Sequence, residues 1–211
     1  MATTAALAAF GVLATSASAA EKTLTLRTKA GVLGASSRIE GAGTFSLTAS
    51  GKTVTCADSA LEGLAVLSNE AATDRDELFF DGIVTRGVEE EGRCKSAWHE
   101  GSSVEVEFED HYFEVLFEAS GHAAIIGSCE EGCHRLDMDM HFTGVSDCTY
   151  EFQSVPLKFK PGTAGHPKAL TATATDKVKP TFATVGCPTS FTLKAKYTFT
   201  VGGERLESEA V

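Results

Sequence analysis

Phe191-Thr-Leu193-Lys-Ala195-Lys-Tyr197-Thr-Phe199-Thr-Val201 carries apolar side chains at every other position, with Thr and Lys between them. A period of two belongs to an extended strand with one face buried and the other wet. Cys187 stands four residues before Phe191, and an earlier stretch repeats the arrangement as Cys148-Thr-Tyr-Glu-Phe152, running on to Phe159. Cys94-Lys-Ser-Ala-Trp98 has the same spacing, too thin an identity to define a repeat. The first two stretches read as partner strands stapled by a disulfide, with Phe152 and Phe191 beside the bridge.

Working outward, the same period recurs. Leu24 and Leu26 alternate within Thr23–Thr28, and Phe45, Leu47 and Ala49 alternate with Thr44, Ser46 and Thr48. Ser50-Gly51 is a hairpin turn signal, after which Val54 and Cys56 point inward on a second strand. Further strands are expected at 61–67, 78–84, 104–109, 113–117, 123–126, 136–142, 170–175 and 181–185, all short and bounded by turn residues. Gly31–Gly43 reads as a small-residue connection, and Ser68–Glu77 as a short helix or long surface loop. Gly202–Val211 reads as a polar tail without a packing face. The expected fold is all-β, an antiparallel β-sandwich or barrel-like structure, disulfide-stapled, with minimal helix apart from an N-terminal signal segment. Residues 20–211 are expected to form a single β-rich domain, with a subdivision near 120 as the alternative.

Residues 1–19 carry no charged side chain and end Ala17-Ser18-Ala19, which fits the small-residue rule for signal cleavage before Ala20. The basic residue usual after Met1 is missing; a packed Ala-rich helix is the rival reading. The run is short for a membrane span, so the expectation is a secreted or cell-surface protein with no membrane span. An even count of 6 cysteines fits that oxidising compartment. Six cysteines allow many pairings. The simplest assignment joins Cys56 to Cys94, Cys148 to Cys187 and Cys129 to Cys133, two long loops and one tight one.

The formal charge is −11, with 29 acidic residues against 18 Lys and Arg that are read as forming no cluster. Phosphate neutralisation needs a basic patch, so nucleic acid is set aside. The densest chemical cluster is Cys129-Glu-Glu-Gly-Cys133-His134, with Asp137, Asp139 and His141 beyond it. Cys and His at these gaps suit a zinc site, but the second ligand pair is missing, and a tight disulfide is the simpler reading. Glu105, Glu107, Glu109 and Asp110 offer carboxylates to a calcium ion or a sugar, against the plainer reading of a solvated strand face. No Gly-x-Ser-x-Gly elbow is present. His111 and Trp98 read as structural, the latter in the core beside Cys94.

Ser146-Asp-Cys148-Thr-Tyr150, Gly186-Cys187-Pro188, Phe191-Thr-Leu193-Lys-Ala195-Lys-Tyr197 and the upstream Val54–Gly63 together resemble a group of exported, β-rich actinobacterial proteins. The resemblance implies export and paired cysteines, and carries no catalytic or binding residue across. The expected role is non-enzymatic binding or structure outside the cytoplasm, toward an envelope component, a polymer or another protein, with no cofactor. The alternatives are an extracellular hydrolase acting on carbohydrate or ester, and a metal-binding module through Cys129, Cys133 and His134.

Overall fold

The computed structural model describes residues 23–34, 37–67, 78–85, 94–98, 104–107, 113–127, 136–142 and 146–211. In chain order the strands begin with β1 (Leu24–Thr28), β2 (Gly31–Val32), β3 (Arg38–Ala49), β4 (Lys52–Leu67), β5 (Leu78–Thr85) and β6 (Cys94–Ser96). Next come β7 (Val104–Glu107), β8 (Phe113–Phe117), β9 (His122–Gly127), β10 (Leu136–Phe142), β11 (Cys148–Phe152) and β12 (Ser154–Lys158). The last are β13 (Gly162–Thr163), β14 (Lys168–Ala169), β15 (Thr171–Val178), β16 (Phe182–Ala183), β17 (Phe191–Val201), β18 (Glu204–Arg205) and β19 (Glu207–Ala210). The fold is all-β, and among the described residues there is no helix.

Three sheets result. The largest runs β15-β12-β9-β8-β5-β4-β3-β17-β18, with β6 beside β4 and a further pairing of β15 to β17. The second runs β16-β11-β10-β7, and the third β13-β19-β1-β2 with β14 on β19. The path of the large sheet returns on itself through one residue pair, Lys158↔Thr173. A continuous barrel wall would need a full ladder there, so the architecture is sandwich-like. Phe45, Leu47, Ile125 and Leu193 of the large sheet and Met138 and Phe152 of the second line one apolar space, which sets these two sheets face to face.

The strands follow their alternation. On β17, Phe191, Leu193, Tyr197 and Phe199 are buried while Lys194 and Lys196 are exposed. Their aromatic rings seal the core. Phe191 stacks on Trp98 at 5.7 Å and takes the edge of Tyr150 at 4.9 Å, and Phe199 meets Phe117 edge-on at 5.4 Å. Such pairs add roughly 0.5–1.5 kcal/mol each beyond the area they bury. The β3–β4 hairpin turns at Ser50 and Gly51, with φ of 50° and 78°, the left-handed pair that matches strand twist.

Four sequence expectations change. Gly31–Gly43 is not a plain connection, because β3 already begins at Arg38. Its glycines make room for β17: a Cβ on Gly41 would stand 2.7 Å from the Phe199 ring, and one on Gly43 would collide with the Lys196 carbonyl oxygen. Residues 61–67 continue β4 rather than forming a strand of their own. The stretch 148–159 is two strands in two sheets, since buried positions shift parity from Tyr150 and Phe152 to Val155 and Leu157.

The fourth change is at the C-terminus, which is not an unpacked tail. There β19 pairs antiparallel with β1, Leu24 facing Ala210, and parallel with β13. Leu206 and Ser208 are fully buried. Glu209, 8% exposed, is held by Arg27 at 3.6 Å and accepts the Gly165 N–H at 3.0 Å. The polar residues of this segment hid a strand that follows one buried leucine and whose buried positions are Ser208 and the paired Glu209.

Leu206→Ala is therefore expected to cost about 2–5 kcal/mol, read as a lower denaturant midpoint at unchanged slope. A loss within about 0.5 kcal/mol, the range of an exposed substitution, would return the segment to the status of a tail.

Candidate functional site

Two disulfides brace this scaffold. Cys56–Cys94 joins registered neighbours on β4 and β6, and Cys148–Cys187 joins β11 to the loop before β17. Cys187 therefore lies outside the strand that its spacing suggested, and β11 and β17 belong to different sheets. The second bridge ties β11 to the loop that leads from β16 of the same sheet to β17 of the large one. Phe152 and Phe191 do pack near it, with ring centroids 6.3 Å apart. With sequence separations of 38 and 39, each bridge contributes about 4 kcal/mol by the chain-entropy account.

Cys129, Cys133, His134, Glu109, Asp110 and His111 lie outside the described residues. His141 is described, and its Nδ1 meets Asp147 Oδ2 at 3.1 Å. Among the described residues no three His, Cys, Asp or Glu side chains gather to hold a metal. Trp98 is a core residue, 8% exposed, whose indole N–H donates to the Lys52 carbonyl at 2.9 Å.

The second sheet collects acidic residues. The register sets Asp137 opposite Glu151 and Asp139 opposite Glu107, with His141 opposite Glu105. Like charges directly opposite destabilise an antiparallel pair. Asp139 is 3% exposed and its Oδ1 has no hydrogen-bond partner among the described residues, at a desolvation cost of about 1–3 kcal/mol or more. These acids stand side by side on one sheet, an arrangement different from carboxylates facing each other across a cleft.

The apolar space between the sheets measures about 40 Å³. Ligand pockets run to roughly 300 Å³ or more, so this is a packing defect in scale. At its edge Tyr197 donates to or accepts from Ser59 at 2.7 Å, a buried hydroxyl pair bridging β17 and β4. Burial pushes the Tyr197 phenol up to about 12, partly offset by that hydrogen bond. Burial also raises the Tyr150 phenol well above its ordinary value.

The outer face of the large sheet has a different character. One row of registered residues crosses five strands as Thr175, Lys194, Ser46, Thr55 and Lys95. A second row reads Lys177, Thr192, Thr48 and Thr53. A third reads Lys158, Thr173, Lys196 and Thr44. No carboxylate and no aromatic residue stands in these rows. Among the described residues Lys158 alone of the five lysines has an acidic partner, Asp176 at 3.5 Å. The chain order hides this patch, because its lysines come from β6, β12, β15 and β17. The visible signal was the Thr and Lys filling the wet positions of 191–201.

No protein family, characterised protein or solved structure matches the chain.

The tyrosine pair gives a pH test. The folded protein holds the Tyr197 proton more tightly than the unfolded chain, whose phenol titrates near 10.0. Stability from this group is complete below pH 10 and is lost as pH rises toward about 12, by roughly 2 kcal/mol. Urea midpoints measured from pH 8 to 12 should show a decline to which the raised Tyr150 phenol also contributes, and Tyr197→Phe should make it shallower by that amount. A Tyr197→Phe protein with an unchanged alkaline slope would assign the loss to other groups.

Proposed function

We propose that this protein works outside the cytoplasm as a non-enzymatic binding module, and that the Thr/Lys outer face of β15, β17, β3, β4 and β6 is its binding surface. The observation that carries the reading is the composition of that face. Three registered rows of that face, with the adjoining β12, hold five lysines and eight hydroxyl side chains and no carboxylate, in a chain of net charge −11. Glu40 and Glu62 stand in a separate row toward the end of β17, opposite Thr200. A broad hydroxyl-and-ammonium face donates and accepts hydrogen bonds over a wide area, which suits an extended partner. The uncharged leader, the small-residue motif before Ala20 and the two disulfides support export.

Expression of the full chain in an exporting bacterial host tests both parts. The expected product begins at Ala20, has Cys56–Cys94 and Cys148–Cys187 closed, and is retained by the isolated cell-envelope fraction. Thr55→Trp, a bulky group at an exposed strand position in the middle of the face, should abolish that retention and leave thermal unfolding unchanged. Intracellular, uncleaved protein would overturn export. Retention unaffected by Thr55→Trp would overturn the surface.

A further inference from the structure

The same face points to the chemistry of its partner. We infer that it binds a polyanionic glycopolymer, a hydroxyl-bearing chain with a carboxylate or phosphate in each repeat. This inference rests on the reading of the Thr/Lys face as the binding surface.

Charge complementarity is the first argument. The chain as a whole repels anions, yet Lys95, Lys177, Lys194 and Lys196 are exposed here and have no acidic partner among the described residues. Among the described residues their ammonium groups are not committed to ion pairs. Strand geometry sets their spacing. Lys194 and Lys196 stand two residues apart on β17, about 7 Å, inside one Debye length at physiological salt. Lys95 lies three strands from Lys194 along one row, about 14 Å away. Cations at these intervals meet successive anions of one polymer rather than a single small ion.

The second argument is what lies between the cations. Threonine and serine hydroxyls fill the other positions, and Thr48 and Thr53 already exchange a hydrogen bond at 2.9 Å. Hydroxyls read other hydroxyls in either direction, so the intervening positions suit a sugar or polyol backbone. Nucleic-acid single strands are bound by aromatic platforms and arginine, and the rows contain neither. Lipid surfaces take an apolar insertion beside the charge, and the rows offer none.

The test uses the mature disulfide-closed protein with polygalacturonate as the carboxylate polymer and poly(glycerol phosphate) as the phosphate polymer. Uncharged dextran, poly(dT) and phosphatidylglycerol vesicles serve as comparisons. Binding is expected to one or both anionic glycopolymers at low salt, weakening as NaCl is raised. Lys194→Gln combined with Lys196→Gln should weaken it about tenfold without shifting the melting temperature. Binding of neither polymer, equal binding of dextran, tighter binding of poly(dT) or vesicles, or full binding by the double variant would each overturn the inference. If Thr55→Trp abolishes envelope retention while the double lysine variant keeps it, the surface stands and the partner class falls. If Thr55→Trp changes nothing, the surface itself is wrong.

Discussion

Everything in this fold leans on the two-sidedness of β17. It is flanked by β3 over nine registered pairs and by β15 over eight, so both of its edges are hydrogen-bonded along most of its length. Its inward residues supply Phe191 and Phe199, each of which touches rings from other elements. A one-residue slip of register would exchange those rings with Lys194 and Lys196, placing ammonium groups in the core. The cost of that exchange pins the register. The glycines at 41 and 43 follow from it, because β3 must pass beneath the Phe199 ring and the Lys196 carbonyl with no Cβ in the way. Two glycines that look like loop residues in sequence thus answer the Phe199 ring and the Lys196 carbonyl of a neighbouring strand.

The strongly alternating segments were legible because each buries one face only. Segments with mixed or small residues were not. The 148–159 stretch was read as one strand, although its apolar positions change parity between Phe152 and Val155, and that shift was the available clue to a change of sheet. The C-terminal segment was missed for a different reason. Its core-facing side holds Leu206 and Ser208, and the carboxylate of Glu209 is made tolerable by Arg27 and a backbone N–H that no local pattern announces. The described part of the candidate site was legible strand by strand and illegible as a site. Lysines from β6, β12, β15 and β17 become neighbours only when the register of the large sheet is known.

The bridges sit where pairing alone is weakest. β6 is a three-residue strand attached to β4, and Cys56–Cys94 links the two covalently at a registered pair. Cys148–Cys187 anchors the loop before β17 to the second sheet, and thereby fixes the approach of Phe191 to Tyr150. Reducing conditions would release both constraints on the strands and loop that carry the Trp98–Phe191–Tyr150 cluster.

Net charge conceals how this chain uses its ionisable groups. The register of the second sheet sets Asp137 against Glu151 and Asp139 against Glu107, while three rows across β15, β17 and β3 of the large sheet alternate lysine with hydroxyls. Each arrangement brings like charges near one another, which is unfavourable by itself. Folding alone gives no reason for the lysine side of this segregation. Mixed charges on the wet positions of β15 and β17 would stabilise the sheet better, through cross-strand pairs worth a few tenths of a kcal/mol each. On this outer face Lys158 pairs with Asp176, whereas Lys95, Lys177, Lys194 and Lys196 stay exposed with no acidic partner among the described residues. That is the physical ground for reading it as a surface that meets an anion from outside.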